Sequence, residues 1–578
     1  AGDALLTGQE NVALGYNAFS TANGSESRNV AVGAYSLSAM NINGNNYNTA
    51  IGFNSGASVT TGQYSTIIGG LAGDAITTGI SNVAIGYSAL STEITGQKNV
   101  AVGTNALATL NYDGDGFNTA VGNDAGRYMT TGIQNTLIGG QAGDALTTGN
   151  GNTVLGYSAL STEDTGSRNV AIGQEALGAL NYDGEAYNTA VGFAAGKLVS
   201  TGTSNTLIGG LAGDALTLGT NNTAVGVGAL STEDGHSYNT AIGAYALRDL
   251  NAATDGYNTA VGYTAGLTLS TGVRNAILGG LAGDALTTGS YNVAVGMFAL
   301  SAETGGGQNT AIGYGALELQ NKNANGNNTA VGFVAGQNVS TGERNTLIGS
   351  NAGNDITTGI QNTFVGFGAG QLTTDRSYNT AIGDSALANN VNGSKNTAIG
   401  QWALQAMNPA SDLDTFNTAL GYNAGYSVTT GKYNTLVGAE GGDALTTGEY
   451  NTIMGYAALS AENDHGKNVA IGAFALTALD AGAEAENVAL GFKAASGMST
   501  GQYNIAIGSR AIQTGATTGN NNIAIGYLSG STLTSGTKNI VIGSQAGDAL
   551  LGGSDNIAIG QEALSAEDGH GKNIAIGS

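Results

Sequence analysis

Apolar and polar positions follow one short pattern along the whole chain. The string Asn-(Thr/Val)-Ala-(Ile/Val)-Gly recurs, as in Asn82-Val83-Ala84-Ile85-Gly86 and Asn99-Val100-Ala101-Val102-Gly103. There are 33 such openings from Asn11 to Asn573, with Asn first in all but one (Ser65) and Gly fifth in every one. Counted from one Asn to the next, the period is typically 17 (Asn82 to Asn99) to 19 (Asn99 to Asn118). Fixed periods of this size belong to solenoids, whose units pack on their neighbours. Regularly placed Gly and β-branched residues oppose helix. Strand alternation then puts the fourth residue on one face and the third and fifth on the other. Because the fourth is always Val, Ile, Leu or Met, its face is expected to be buried, with Ala and Gly opposite it allowing close approach. Gly at position 5 is expected to supply a bend or a positive φ where the strand ends. Ala at position 8 (Ala106, Ala125, Ala142) returns to the core, and Thr-Gly or Asp-Gly segments close each turn. Asn at position 1 is expected to form a ladder of amides between turns.

A longer period overlies the first. Four kinds of turn alternate, so that each kind returns at every fourth opening, as at Asn82, Asn152, Asn222 and Asn292. One carries Ala-Leu-Ser-Thr-Glu (Ala89–Glu93), and one has an Asp/Asn/Gly tip (Asn111–Gly114). Another ends in Thr-Thr-Gly (Thr130–Gly132), and the last reads Gly-Gly-Leu-Ala-Gly-Asp-Ala (Gly69–Ala75). The register breaks near Asn362 and drifts after Asn504. The fold class expected is all-β, a single elongated β-solenoid (β-roll or β-helix) over residues 1–578. It would have about 33 rungs with two short strands each, and no separate globular domain. At ~4.8 Å per rung its length is on the order of 160 Å.

Composition sharpens this. The 578 residues include 97 Gly, one Pro and no Cys, with 41% hydrophobic and 10% charged. Plentiful apolar residues argue against disorder, and the missing Gly-X-Y period excludes collagen. No apolar run approaches the roughly 18 residues of a membrane helix. A net charge of −24 argues against nucleic acid as partner.

The Asn-Val-Ala-Ile-Gly-x-x-Ala motif resembles the head of trimeric autotransporter adhesins, a left-handed β-roll with shorter repeats. It is also similar to the Asn-Thr-Ala-x-Gly-Tyr-x-Ala-Leu repeats of phage tail fibre-like proteins. These resemblances imply an extracellular β-solenoid, with a trimeric cross-section in the first case.

Candidate chemistry is sparse. His236, His465 and His570 all fall in the Glu-containing turn type. Glu233, Asp234 and His236 form a weak metal set, and exposed turn histidines are the preferred reading. Gly-Asp at Asp74, Asp144, Asp214, Asp284, Asp443 and Asp548 is similar to a calcium-binding nonapeptide but differs in spacing; solvated turn carboxylates are preferred over calcium. Aromatics preceding Asn on successive turns (Tyr47 and Tyr64; Phe416, Tyr433 and Tyr450) suggest stacked rings, with a sugar-binding strip as the alternative. Thr at position 2 suggests a flat ice-binding array, set aside because it shares a face with the buried fourth residue. No catalytic residue, metal or cofactor is expected.

The ends carry the sharpest expectation. Asn573–Ser578 followed by Ala1–Leu6 reproduces, one residue short, the turn Asn539–Leu551. Head-to-tail polymerisation would complete a shared rung through Ala1, Gly2, Asp3, Ala4, Leu5 and Leu6 on one side. Asn573, Ile574, Ile576, Gly577 and Ser578 lie on the other. The function expected is a structural subunit of an extracellular filament, alternatively the shaft of a phage tail fibre or bacterial adhesin. Its partners would be further copies of itself, end to end and with lateral or trimeric contacts.

Overall fold

The computed structural model describes residues 1–2 and 6–578. The chain divides into two compact units, 1–290 and 291–578. Both are β-solenoids, and every strand pairing described is parallel. The first unit holds sixteen three-residue strands from Val12–Leu14 to Ala276–Leu278; the second holds seventeen, from Val293–Val295 to Ile574–Ile576. Neighbouring strands pair without slip, as in Thr136↔Thr153, Leu137↔Val154 and Ile138↔Leu155. At ~4.8 Å per strand each unit is about 80 Å long.

Each turn carries one strand rather than the two expected. Among the described residues, a second pairing forms only where Glu26–Ser27 meets Gly44–Asn45 and Gly393–Ser394 meets Leu413–Asp414, plus three isolated bridges. The rest of the perimeter is held by single main-chain hydrogen bonds between turns. In the turn opened by Asn82, Val83, Leu90 and Thr92 donate to the following turn, whereas Gly86 and Ser88 donate to the preceding one. This alternation requires left-handed backbone at the residue before Asn and at positions 7 and 9, for example Lys98 (φ 58°), Ser88 (54°) and Leu90 (54°). One turn is longer than the sequence pattern allows for: Asn396 and Asn417 stand 21 apart, around the single proline Pro409.

The buried face of the strand is the opposite of the one expected. Position 3 points inward, with Ala84, Ala101, Leu137 and Ala224 at 0% exposure. Positions 2 and 4 point out: Ile138 is 36% exposed and Leu155 45%. The cause is the width of the coil. So short a turn encloses room for a small side chain at position 8, a residue at position 3 that is most often Ala, and the groups at 9 and 12, so a continuous Ile/Val row does not fit inside as well. Ala106, Ala125 and Ala142 at position 8 are buried as expected.

The glycine at position 5 contacts the next turn of its own solenoid, not another surface. Gly226 has φ +137°, and a Cβ there would sit 2.4 Å from the carbonyl oxygen of Gly243. The same backbone contact repeats from turn to turn, Gly209 meeting Gly226 and Gly243 meeting Gly262. Beside it runs the asparagine ladder. Asn205 Oδ1 accepts the main-chain N–H of Asn222 at 2.9 Å, and Asn205 Nδ2 donates to the Gly219 carbonyl at 2.8 Å. At Ser65, the hydroxyl takes over the acceptor role towards Asn82 N–H at 3.3 Å.

The four-turn period is a packing register. Some turns pair Ala at position 3 with Leu at position 9, as Ala101 and Leu107 do, and others pair it with Gly, as Ala120 and Gly126 do. Leu137, at position 3 of the turn after Ala120, fills space left by two glycines at position 9. A Cβ on Gly126 would lie 2.6 Å from Leu137, and one on Gly143 3.0 Å from it. The additional turn at Asn362 obeys the same rule with a larger group. Its position 3 is Phe364, fully buried, and a Cβ on its own Gly370 would lie 2.3 Å from that ring.

Candidate functional site

The outward rows of each unit form its most distinctive surface. Positions 2 and 4 hold only Thr, Val, Ile, Leu, Met and one Ala, with no charged residue in any turn. Thr occupies position 2 in nine consecutive turns, from Thr310 to Thr452. The reason for setting aside a Thr array, that it shared a buried face, does not hold, because the row is on the outside. Isolated exposed apolar residues are ordinary, but here a row of Thr and aliphatic side chains runs beside a row of Ile, Val, Leu and Met without a charge along each unit. Alongside it, the residue before each Asn supplies nine of the 17 Lys and Arg, among them Arg168, Lys395 and Lys467.

That neighbouring row also carries the aromatics. Phe416 and Tyr433 stack at 5.5 Å and 10°, Tyr433 and Tyr450 at 4.9 Å and 14°. Lys395 Nζ lies 5.0 Å from the Phe416 ring centre and covers its other side. The ring faces are therefore turned towards one another and towards lysine. A sugar, which packs its C–H face on an aromatic face, meets mostly edges here.

Sequence reasoning passed over a set of buried carboxylates. Glu93, Glu163, Glu233, Glu303 and Glu462 sit at position 12 with 0% exposure, where most other turns place Leu, Ile, Val or Met. Each closes its turn: Glu93 Oε1 accepts Gly96 N–H at 2.6 Å, and Glu303 Oε1 accepts Gly306 N–H at 2.7 Å. The signal was present in Ala-Leu-Ser-Thr-Glu, but Glu in a turn reads as exposed. The Gly-Asp carboxylates are likewise less solvated than expected. Asp74, Asp144, Asp214, Asp284, Asp443 and Asp548 each enclose one oxygen without a hydrogen-bond partner.

Burial raises the carboxyl pKa of Glu93, Glu163, Asp74, Asp144, Asp214, Asp284 and Asp443. Between the unfolded values of about 4 and the raised folded ones, the native state binds more protons than the unfolded chain. Stability from these groups therefore increases as pH falls through the folded pKa values. Opposing groups are Glu175, lowered by a hydrogen bond from Lys197, and Glu343, lowered by Lys322 and Arg344; their contribution is lost only as pH falls below about 4. Thermal unfolding should thus show Tm rising as pH is lowered from neutral towards about 4 and falling below it. A Tm that drops steadily from pH 7.5 to 5 would contradict this.

The three histidines replace the glycine three residues after the position-12 Glu, which is buried at Glu233 and Glu462 and partly exposed at Glu567. His236 Nδ1 lies 3.0 Å from Glu233 Oε1, and His570 Nδ1 2.9 Å from Glu567 Oε1. His465 Nδ1 stands further off, 3.4 Å from Glu462. Only His570 fits the exposed reading, at 86% side-chain exposure; His236 and His465 are at 27% and 25%. The surface grooves hold groups paired with each other. In one, Lys197 bonds Glu175 at 2.7 Å; in another, Arg376 bonds Asp412 at 2.6 Å beside the Lys395–Asp414 pair.

Of the end residues, Ala1 and Leu6 are exposed, and Gly2 donates its N–H to the Ala18 carbonyl at 2.9 Å. Asp3, Ala4 and Leu5 lie outside the described residues. Val12–Leu14 pairs with Val30–Val32, and Ile574–Ile576 with Ile557–Ile559. With one partner each, these strands leave Ile574 and Ile576 at 71% and 74% exposure. Asn573 still joins the ladder through its N–H to Asn556 Oδ1, and Gly577 donates to Ile559; Ser578 is exposed. The head and tail residues belong to different units, so each set is described within its own. No helix among the described residues is long and apolar enough to cross a membrane. No known family model matches the chain, and no curated protein does.

Proposed function

We propose that this chain is a structural subunit of an extracellular filament or fibre, assembled from copies of itself. The observation that carries the reading is the uncharged aliphatic face on an otherwise acidic protein. Copies with a net charge of −24 repel one another, and the outward rows at positions 2 and 4 are where they can approach without opposing charges. Lateral contact there would remove a long apolar strip from water at about 25 cal/mol per Å². The runner-up, the shaft of a phage tail fibre or adhesin, draws on the motif resemblance and on the same face. A structural role suits a fold that spends its asparagines in a ladder between turns and its buried glutamates on turn closure.

Negative-stain microscopy and sedimentation of the purified chain test this. The expected result is association that grows with concentration. Ile348→Asp with Ile382→Asp, at two positions 39% and 38% exposed, should abolish side-by-side contact with little loss of stability. A chain that sediments as a monomer at every concentration would sink the proposal.

A further inference from the structure

The geometry points to two divalent transition-metal sites, one in each unit, built from the string Glu-Asp-Gly-His at 233–236 and again at 567–570. In both, one donor atom from each of Glu, Asp and His lies within 4.8 Å of the others. Donors that share a tetrahedral zinc lie about 3.3 Å apart, given bonds of about 2.0–2.2 Å. The Glu and His donors now touch each other through hydrogen bonds of 3.0 and 2.9 Å, so they need open only by about 0.3–0.4 Å to reach that spacing.

Three observations separate this arrangement from a casual acidic turn. Glu233 is completely buried, and its Oε1 is fixed by the main-chain N–H of His236 at 3.1 Å, so the donor is held before any ion arrives. Glu567 Oε1 is held in the same way, at 2.7 Å from His570 N–H. Second, the imidazole stands where sister turns have Gly96, Gly166 and Gly306, each packed directly against its Glu carboxylate. A side chain introduced there can hardly avoid that carboxylate. Third, the chain contains its own contrasts. Glu163-Asp164 has the two acids without the histidine; Glu462-Asn463-Asp464-His465 has Asn where the others have Asp, and its Glu–His separation opens to 3.4 Å. One imidazole nitrogen with two carboxylate oxygens suits Zn²⁺ or Co²⁺ better than calcium, which takes six to eight oxygens.

Zinc titration of the intact chain, read by calorimetry and by metal analysis after dialysis, tests the assignment. Two Zn²⁺ per chain at micromolar affinity are expected, with Co²⁺ giving a visible absorption band at the same stoichiometry. His236→Gly should leave one ion and His236→Gly with His570→Gly none. Both variants restore the residue used in sister turns, so folding should persist, as circular dichroism can verify. His465→Gly should leave two. Asn463→Asp should raise the count to three. No binding by the native chain, or binding undiminished in the double histidine variant, would overturn the sites. A count still at two in Asn463→Asp would overturn the three-donor set.

Discussion

Gly226→Ala is expected to cost more than about 4 kcal/mol, among the largest losses a single methyl can cause. The backbone at Gly226 has φ +137°, a region that L-residues rarely adopt and that costs about 1–3 kcal/mol by itself. The added carbon would also lie 2.4 and 2.5 Å from the carbonyl oxygen and carbon of Gly243. Neither neighbour can yield, because both belong to the main chain of the next turn. Gly210 is the matching control: it lies one residue past a position-5 glycine, and a Cβ there meets nothing within 4 Å. Gly210→Ala should stay within about 0.5 kcal/mol of the native protein. Urea unfolding of the two variants measures the difference. Equal losses would refute backbone contact as the reason for the glycine column.

Asn205→Ala should be the next most damaging. It leaves the Asn222 N–H and the Gly219 carbonyl without the partners they have at 2.9 and 2.8 Å. Each buried orphan costs about 1–3 kcal/mol, so the pair should cost about 2–5 kcal/mol. Asn205→Ser should recover about half, since Ser65 shows a hydroxyl serving as the acceptor at this position. If serine and alanine proved equally harmful, the acceptor role would not be what matters.

The sequence carried the strand string, the turn count and the asparagine ladder, because each rests on one residue type repeated at one place. It misled on facing. Large β-branched residues at position 4 read as core, and alanine at position 3 as surface, when the width of the coil decides the opposite. Apolar residues are common on protein surfaces, so size alone does not show which face is inside. The buried Glu93 and its sister residues escape a sequence reading for the reverse reason. Their partners are main-chain N–H groups of the same and the next turn, and no residue pattern announces those. The histidine turns were visible as strings, but the closeness of His236 to a buried carboxylate depends on how the chain closes at position 12.

The packing register has a consequence for how such a chain changes length. Gly126 separates Leu107 from Leu137, with a Cβ at its position 2.9 and 2.6 Å from them. Excising that single turn would drive the two leucines into the same space. Removing a block of four turns leaves every leucine facing its accustomed glycine. Gains and losses during evolution should therefore come in blocks of four turns, with intermediate steps admitted only when an inserted turn brings its own compensation. The turn at Asn362 is such a case, carrying Phe364 together with Gly370. Genetic drift in length is thus quantised by the core, and natural variants of this chain should differ by whole blocks far more often than by single turns.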